Sequence, residues 1–102
     1  MDLQNRYLRA HGFEDIGFMN LDDFENSSST LPENSFLVSN YAYSEISMDL
    51  QKKYTKYVLN PYISHGFLTW NFIEPYEFIV NKKMYTGQEF PLTCYNNKYI
   101  WF

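Results

Sequence analysis

A chain of 102 residues has the common size of a single domain, and its 45% hydrophobic content excludes a wholly disordered protein. The formal net charge of −4 argues against direct nucleic-acid binding, which needs a basic patch, and the one cysteine excludes an intramolecular disulfide. No segment approaches the roughly 20 apolar residues of a membrane span or shows the pattern of a secretory signal. We therefore expect one domain, residues 1–102, in the cytoplasm.

The N-terminal segment is predicted to contain two short helices. Residues 2–11 fit a helix in which Asp2 caps the N-terminus and Gly12 supplies the stop. Residues 20–25 fit a single helical turn with Asn20 as the cap and acids in the first turn, where the helix dipole favours them. A polar, serine-rich loop follows.

The first strand is predicted over Ser35–Ser39, because this run is rich in β-forming side chains and is bounded by turn residues. After a bend at Asn40, residues 41–46 are predicted to extend this strand.

The next helix is predicted over Met48–Leu59, with Ser47 as its cap and Asn60-Pro61 at its end. Three lysines mark its solvent side: Lys52, Lys53 and Lys56. Its core-facing stripe is predicted to consist of Leu50, Tyr54, Tyr57 and Val58.

The last part of the chain is predicted to be mostly β. Residues 66–73 fit one strand. Residues 90–95 and 98–102 are predicted to form a closing hairpin around Asn96-Asn97, because asparagine tolerates the left-handed geometry of a tight turn. Residues 75–84 fit either a helix or a strand with a hairpin, and the spacing of their apolar side chains favours the helix.

These elements together predict an α+β fold. We expect a small antiparallel sheet, mostly from the C-terminal half, with two or three helices packed on it. The nine phenylalanines are expected to build the core. Ten tyrosines are harder to bury, because each buried hydroxyl needs a hydrogen-bond partner, so some of them are expected at the surface.

The charges are distributed unevenly along the chain. No Lys or Arg occurs from Ala10 to Gln51, whereas this stretch carries eight acids: Glu14, Asp15, Asp22, Asp23, Glu25, Glu33, Glu45 and Asp49. From Lys52 onward six lysines face three acids: Glu74, Glu77 and Glu89. A folded domain can interleave these halves, so one interpretation is an ordinary solvated face. The other is an acidic surface that steers a basic partner, with nearby rings as anchors.

In general make-up the chain resembles the small acidic immunity proteins that bacteria make against their own toxins. The resemblance rests on size, the Glu14-to-Asp49 acidic stretch, the surplus of Tyr and Phe and the lack of enzyme motifs. It includes no shared motif and implies no particular topology. It implies a one-to-one complex that blocks a toxin, such as a nuclease, at its active site or at an essential surface nearby.

Catalytic and metal-binding chemistry is not predicted. A thiolate paired with an imidazole could act as a nucleophile, which leaves a small hydrolase using Cys94 and His65 as an alternative. However, Cys94 is predicted to lie on a strand beside Leu92, which is typical of a small core side chain. One cysteine and two distant histidines give no metal-ligand spacing, so we expect no metal and no cofactor.

The sequence thus favours a non-enzymatic inhibitor that binds a basic protein partner one to one, without contact to nucleic acid or membrane. The candidate partner-binding acids are Asp22, Asp23 and Glu25. The candidate anchoring rings are Tyr41, Tyr43 and Trp70. A phage-encoded inhibitor of a host nuclease or defence complex is an alternative with the same binding physics.

Overall fold

The computed structural model describes residues 2–71, 73 and 82–102. Its helices are α1 (Asp2–Ala10), α2 (Leu21–Glu25), α3 (Ala42–Glu45), α4 (Met48–Tyr54) and α5 (Asn60–Tyr62). A π-helical segment, Thr55–Leu59, joins α4 to α5. The strands are β1 (Ser35–Asn40), β2 (Ile63–Trp70), β3 (Tyr85–Gln88) and β4 (Lys98–Trp101).

The four strands form one mixed sheet in the order β1-β2-β4-β3. The α+β class is therefore confirmed. Only the β2–β4 and β4–β3 pairs are antiparallel, whereas β1 and β2 are parallel. This departs from the wholly antiparallel sheet that was predicted, because the helices between β1 and β2 return the chain to the same end of the sheet.

The core lies on one face of the sheet, between the strands and the helices that follow β1. Side chains alternate along β2, so Leu68 and Trp70 point into the core whereas Phe67 points to the opposite face. The buried apolar side chains come from α3, the π-helical segment and four positions on β2 and β4: Tyr43, Val58, Leu59, Ile63, Leu68, Trp70 and Ile100.

The predicted helix boundaries in the first half are largely confirmed. Gly12 follows α1 with a φ of 84°, the left-handed geometry of a C-terminal stop. The Asn20 N–H donates to the Asp23 carboxylate at 2.9 Å before α2. Ser47 accepts the Leu50 N–H at 3.3 Å at the start of α4.

The predicted core-facing stripe of the helix that begins at Met48 is correct for Val58, which is buried, and for Tyr54 and Tyr57, which pack against the core, but wrong for Leu50. Leu50 is exposed, whereas Gln51 and Thr55 are buried, followed by Val58 and Leu59. The π-helical segment explains the change of phase, because it admits an extra residue and brings two consecutive apolar side chains to the core side.

The predicted extension of the first strand through residues 41–46 is also wrong, since this segment contains helix α3. Tyr41 has a φ of 61°, which turns the chain out of the sheet. The Tyr41 N–H donates to the Thr69 carbonyl at 3.0 Å and fixes this turn against β2.

The C-terminal strands differ in position from the prediction. Strand β2 covers residues 63–70 instead of 66–73, because α5 ends directly before Ile63. Residues 90–95 form no strand, and β4 pairs with β2 on one side and β3 on the other. Asn96 does adopt a left-handed φ of 62°, within a longer connection than the tight hairpin expected. The alternatives for residues 75–84 depend mainly on residues 75–81, which lie outside the described residues; residues 82–84 belong to neither a helix nor a strand.

The expectation that phenylalanines build the core is correct only in part for the described residues, because Phe24 and Phe102 pack against the core without being fully buried. Each described phenylalanine is half-buried or exposed. The rings of Phe36 and Phe67 lie on the sheet face that the described helices do not cover. Tyrosines at the surface, such as Tyr85 and Tyr95, agree with the prediction.

Candidate functional site

Four apolar side chains form a continuous row across all four strands on the outer face of the sheet. Val38 is opposite Phe67, Phe67 is opposite Trp101, and Trp101 is opposite Tyr85. We call these four residues the apolar row. Their exposure ranges from 37% to 69%, so each presents a large part of its surface to solvent. A patch of large apolar side chains rimmed by polar groups marks an interaction surface.

The rings of the apolar row are held in place by their neighbours. The Tyr85 and Trp101 rings stack, with centroids 6.0 Å apart and planes at 15°. Phe67 packs on Tyr99 of β4, with centroids 5.3 Å apart. Because these contacts restrict the rotamers before any partner arrives, binding through these rings would lose less side-chain entropy.

A glycine allows the largest ring to lie close to the sheet. A Cβ added at Gly87 would lie 3.2 Å from the indole of Trp101, tighter than an ordinary contact. Beside the row is a shallow apolar depression of about 500 Å³ on its β1 side. It is lined by Phe36, His65, Gly66, Phe67, Trp101 and Phe102.

The predicted acids are on the other side of the molecule. Helix α2 carries Asp22, Asp23 and Glu25, and its Phe24 packs against Tyr62 on the helical side of the core. Asp23 is engaged in capping α2, and the Glu25 carboxylate lies 3.5 Å from the Lys53 ammonium. The structure therefore does not join these three acids and the exposed rings into the single surface that was predicted.

Two of the three predicted anchoring rings are core residues. Tyr43 is 7% exposed and Trp70 is 0% exposed, so neither can contact a partner while the domain is folded. The Tyr43 hydroxyl donates to the Gln51 carbonyl at 2.7 Å, and the Trp70 Nε1–H donates to the Ile73 carbonyl at 2.9 Å. The sequence around Tyr43 and Trp70 does not distinguish them from rings that lie at the surface. Only the fold shows that they are core residues.

Tyr41, the third predicted ring, is half-buried and contributes to a polar cluster around Glu89. The buried Glu89 carboxylate accepts the Tyr41 hydroxyl, the Thr93 N–H at 2.8 Å, the Thr93 hydroxyl at 2.7 Å and the Asn97 amide at 3.1 Å. The hydrogen bonds from Tyr41 and Thr93 lower the pKa of Glu89 to about 2, and the same carboxylate raises the pKa of Tyr41. We call these four residues the Glu89 cluster.

The Glu89 cluster holds the loop between β3 and β4 against the body of the domain. A cleft of about 620 Å³ lies beside it. The described residues that line this cleft are Asn71, Ile73, Thr86, Gly87, Gln88, Leu92, Tyr95, Asn96, Asn97 and Lys98. Its walls offer several amide groups but no pair of acids among the residues described, so they suit hydrogen bonding to a neutral group better than acid–base chemistry.

The cysteine and histidine of the hydrolase alternative lie on different elements. Cys94 is exposed in the loop before β4, contrary to the core position predicted for it on a strand. His65 is on β2, opposite Phe36 of β1. No hydrogen bond joins the two side chains in the part of the chain that the structure describes.

The site rests on the geometry of this chain alone, because comparisons with protein-family models, curated proteins and solved structures found no match. Among residues 2–71, 73 and 82–102, no three His, Cys, Asp or Glu side chains are placed to hold a metal ion. Over the same residues, no helix has both the length and the apolar character that crossing a bilayer requires.

The apolar row was not predicted from the sequence, although the residues of β1 and β4 contain a signal for it. Strand β1 reads Phe36-Leu37-Val38 and β4 reads Tyr99-Ile100-Trp101, so large apolar side chains occupy both faces of each strand. An antiparallel or edge strand with one face in water normally alternates apolar and polar residues. Two strands without that alternation indicate a second covered or contacting face.

Proposed function

We propose that this protein acts without catalysis, by binding a partner protein through the apolar row and blocking it. The observation that supports the proposal best is the unbroken line of exposed apolar side chains over four strands. Trp and Tyr are the side chains most often found as energetic anchors at the centre of protein interfaces. Trp101 and Tyr85, stacked on each other, fit that role.

The partner's contact surface is proposed to combine apolar and basic side chains. The chain has a net charge of −4, and its field attracts a basic protein over longer distances than the contact itself. The rings of the row can also accept a cation on their faces, as Tyr85 already does from the Lys83 ammonium at 5.2 Å. Asp22, Asp23 and Glu25, on the helical side, then contribute to steering and not to the buried contact.

The most specific form of the proposal is an immunity protein that neutralises a cognate bacterial toxin in the cytoplasm, with one partner bound per chain. A nuclease toxin is favoured because its nucleic-acid cleft is basic and suits an acidic inhibitor. This form rests on the general make-up of the chain: small size, acidic charge and many rings.

The test uses the protein as bait and the product of the neighbouring upstream gene as the candidate toxin. Trp101→Ala and Phe67→Ala should each speed dissociation of the purified complex by about tenfold or more, measured by biolayer interferometry, because truncating an anchor costs about 2 kcal/mol. Phe13→Ala is the matched control, since Phe13 is a similarly exposed ring outside the sheet. It should leave the dissociation rate unchanged.

Co-expression separates the forms of the proposal. Protection from the neighbour's toxicity by the wild type, and loss of protection with Trp101→Ala, would support the immunity role. A neighbour that is harmless, or that stays toxic beside the wild type, would exclude it. A captured host nuclease together with neighbouring phage genes would instead indicate a phage inhibitor. Equal binding by both ring variants and the wild type would exclude the apolar row as the docking surface.

A further inference from the structure

Strand β1 is one edge of the sheet, and the edge that faces away from β2 has no backbone partner among the described residues. An unpaired edge presents a row of N–H and C=O groups that can pair with another strand. The six residues Ser35–Asn40 include no charged residue, no proline and no glycine. The register with β2 is irregular only between Ser35 and Phe36, so the rest of the edge is regular.

Natural edge strands are usually protected by lysine, proline, bulges or a covering segment. From Phe36 onward, strand β1 lacks these protecting features among the described residues. Its Phe36 and Val38 point outward instead and are 61% and 69% exposed. An edge of this kind either aggregates or is covered by a specific partner strand.

The sequence of the strand identifies the partner. Ser35-Phe36-Leu37-Val38-Ser39 is nearly symmetric about Leu37. If two copies of β1 pair antiparallel with a two-fold axis at Leu37, each Phe36 lies opposite Val38 of the other copy, and each Ser35 lies opposite Ser39. A ring opposite a β-branched side chain is a favourable cross-strand pair. An interface in which the same patch is used by both copies is what a two-fold dimer requires.

We propose that a second copy of this chain covers the edge, so that two sheets join through β1 into one continuous sheet of eight strands. The charges permit it: β1 carries no charged residue, and the nearest acid in the sequence, Glu33, precedes the strand and so lies at opposite ends of the antiparallel pair in the two copies. The dimer places the two apolar rows side by side on one outer face. Each copy keeps its own row exposed, so one partner per chain remains possible.

The self-association is measured by sedimentation velocity over about a hundredfold range of protein concentration. The wild type should convert from monomer to dimer with rising concentration and go no further. Phe36→Lys and Val38→Glu should each weaken the dimer about tenfold or more, because a charge then faces an apolar side chain across the two-fold axis. The matched control is Phe13→Lys, an exposed ring outside β1, which should dimerise like the wild type.

Mixing the Phe36→Lys and Val38→Glu variants tests the pairing register. In the mixed dimer the introduced ammonium of one copy would face the introduced carboxylate of the other, while the second pair keeps Phe36 opposite Val38. The mixture should therefore regain dimerisation that neither variant shows alone. Circular dichroism confirms that each variant is folded, and either folded variant is sufficient for the loss-of-dimer measurement.

Three results would overturn the proposal: a wild type that stays monomeric, a dimer that both β1 variants retain, or assembly that grows beyond a dimer. A mixture that recovers no dimer would overturn the register at Leu37. The partner-binding test changes Trp101 and Phe67, which are outside β1, so failure of one proposal is distinguishable from failure of the other.

Discussion

At the scale of single residues, the most unusual group is the carboxylate of Glu89. In the sequence it is one acid among twelve, yet in the fold it is buried and accepts hydrogen bonds from Tyr41, Thr93 and Asn97. The Asn97 amide N–H group points to Glu89, which leaves Asn97 Oδ1 buried without a donor among the described residues. A reversed amide would place this oxygen against the carboxylate, so the charge of Glu89 explains the orientation.

Glu89 is expected to make the folding stability of the protein depend on pH. Its pKa falls from an ordinary 4.5 to about 2 on folding, so the ionised form stabilises the fold above about pH 4.5 and the benefit is lost as the pH falls to about 2. Glu89→Gln should therefore lower the urea midpoint at neutral pH and flatten its decrease between these two pH values. Glu14→Gln, at an exposed position, is the control and should keep the wild-type profile. An unchanged midpoint for Glu89→Gln at neutral pH would contradict the role of the Glu89 cluster.

At the scale of elements, the link between α3 and α4 depends on polar groups as much as on apolar packing. The buried Gln51 amide donates to the carbonyls of Tyr43 at 3.1 Å and Ile46 at 3.2 Å. In return the Tyr43 hydroxyl donates to the Gln51 carbonyl. Because Ser47 begins a new helix directly after α3 ends, these carbonyls have no helical partner and depend on the glutamine.

Gln51→Ala should destabilise the domain by about 1–3 kcal/mol, because two carbonyls lose their donor in a buried place. Chemical denaturation with an unchanged m-value would measure this loss. Lys52→Ala, at the exposed neighbouring position of the same helix, should change stability by less than about 0.5 kcal/mol. Equal stabilities of the two variants would show that the α3–α4 junction does not depend on Gln51.

In the assembled fold, helices α2 to α5 and the π-helical segment lie on one side of the sheet, and the apolar row lies on the other face. The two tryptophans illustrate the difference. Trp70 lies in the core against Tyr43, with ring centroids 6.1 Å apart, whereas Trp101 is 40% exposed on the outer face. One ring therefore stabilises the fold, and the other is available to a partner.

This difference predicts unequal effects of the same substitution. Trp70→Ala should cost about 3–5 kcal/mol of folding stability, because it leaves a large cavity in the core. Trp101→Ala should cost less, about 1–2 kcal/mol, because 40% of this side chain already faces water in the folded protein and its loss leaves no enclosed cavity. Thermal unfolding of both variants beside the wild type is the measurement. A greater loss from Trp101→Ala than from Trp70→Ala would reverse the assignment of core and surface.

Much of the local structure was predictable because it depends on neighbouring residues. Caps such as Asn20 and Ser47, the stop at Gly12, strand β1 and the helix from Met48 all follow from short-range hydrogen bonding and backbone preference. The phase of the long helix was not predictable in the same way. A π-helical turn is tolerated where tertiary packing favours it, so it leaves little trace in composition.

The functional surface was predicted less well, for a related reason. Acids and rings were counted along the chain, whereas contact with a partner depends on which face of the sheet each side chain occupies. Trp70 and Trp101 are the same residue type, both at the end of a strand, and only the packing of helices over one face of the sheet separates the buried ring from the exposed one.

Composition and short-range interactions were sufficient to establish the α+β class, the acidic net charge and the starts and stops of several helices, because these depend only on residue types and on residues close in the chain. The folded structure was needed to find the strand order, the burial of Glu89 and the apolar row of Val38, Phe67, Trp101 and Tyr85. Those features join residues far apart in sequence. They arise from strand register and from the sheet face that the described helices leave uncovered, since a side chain is buried only when another element packs over it.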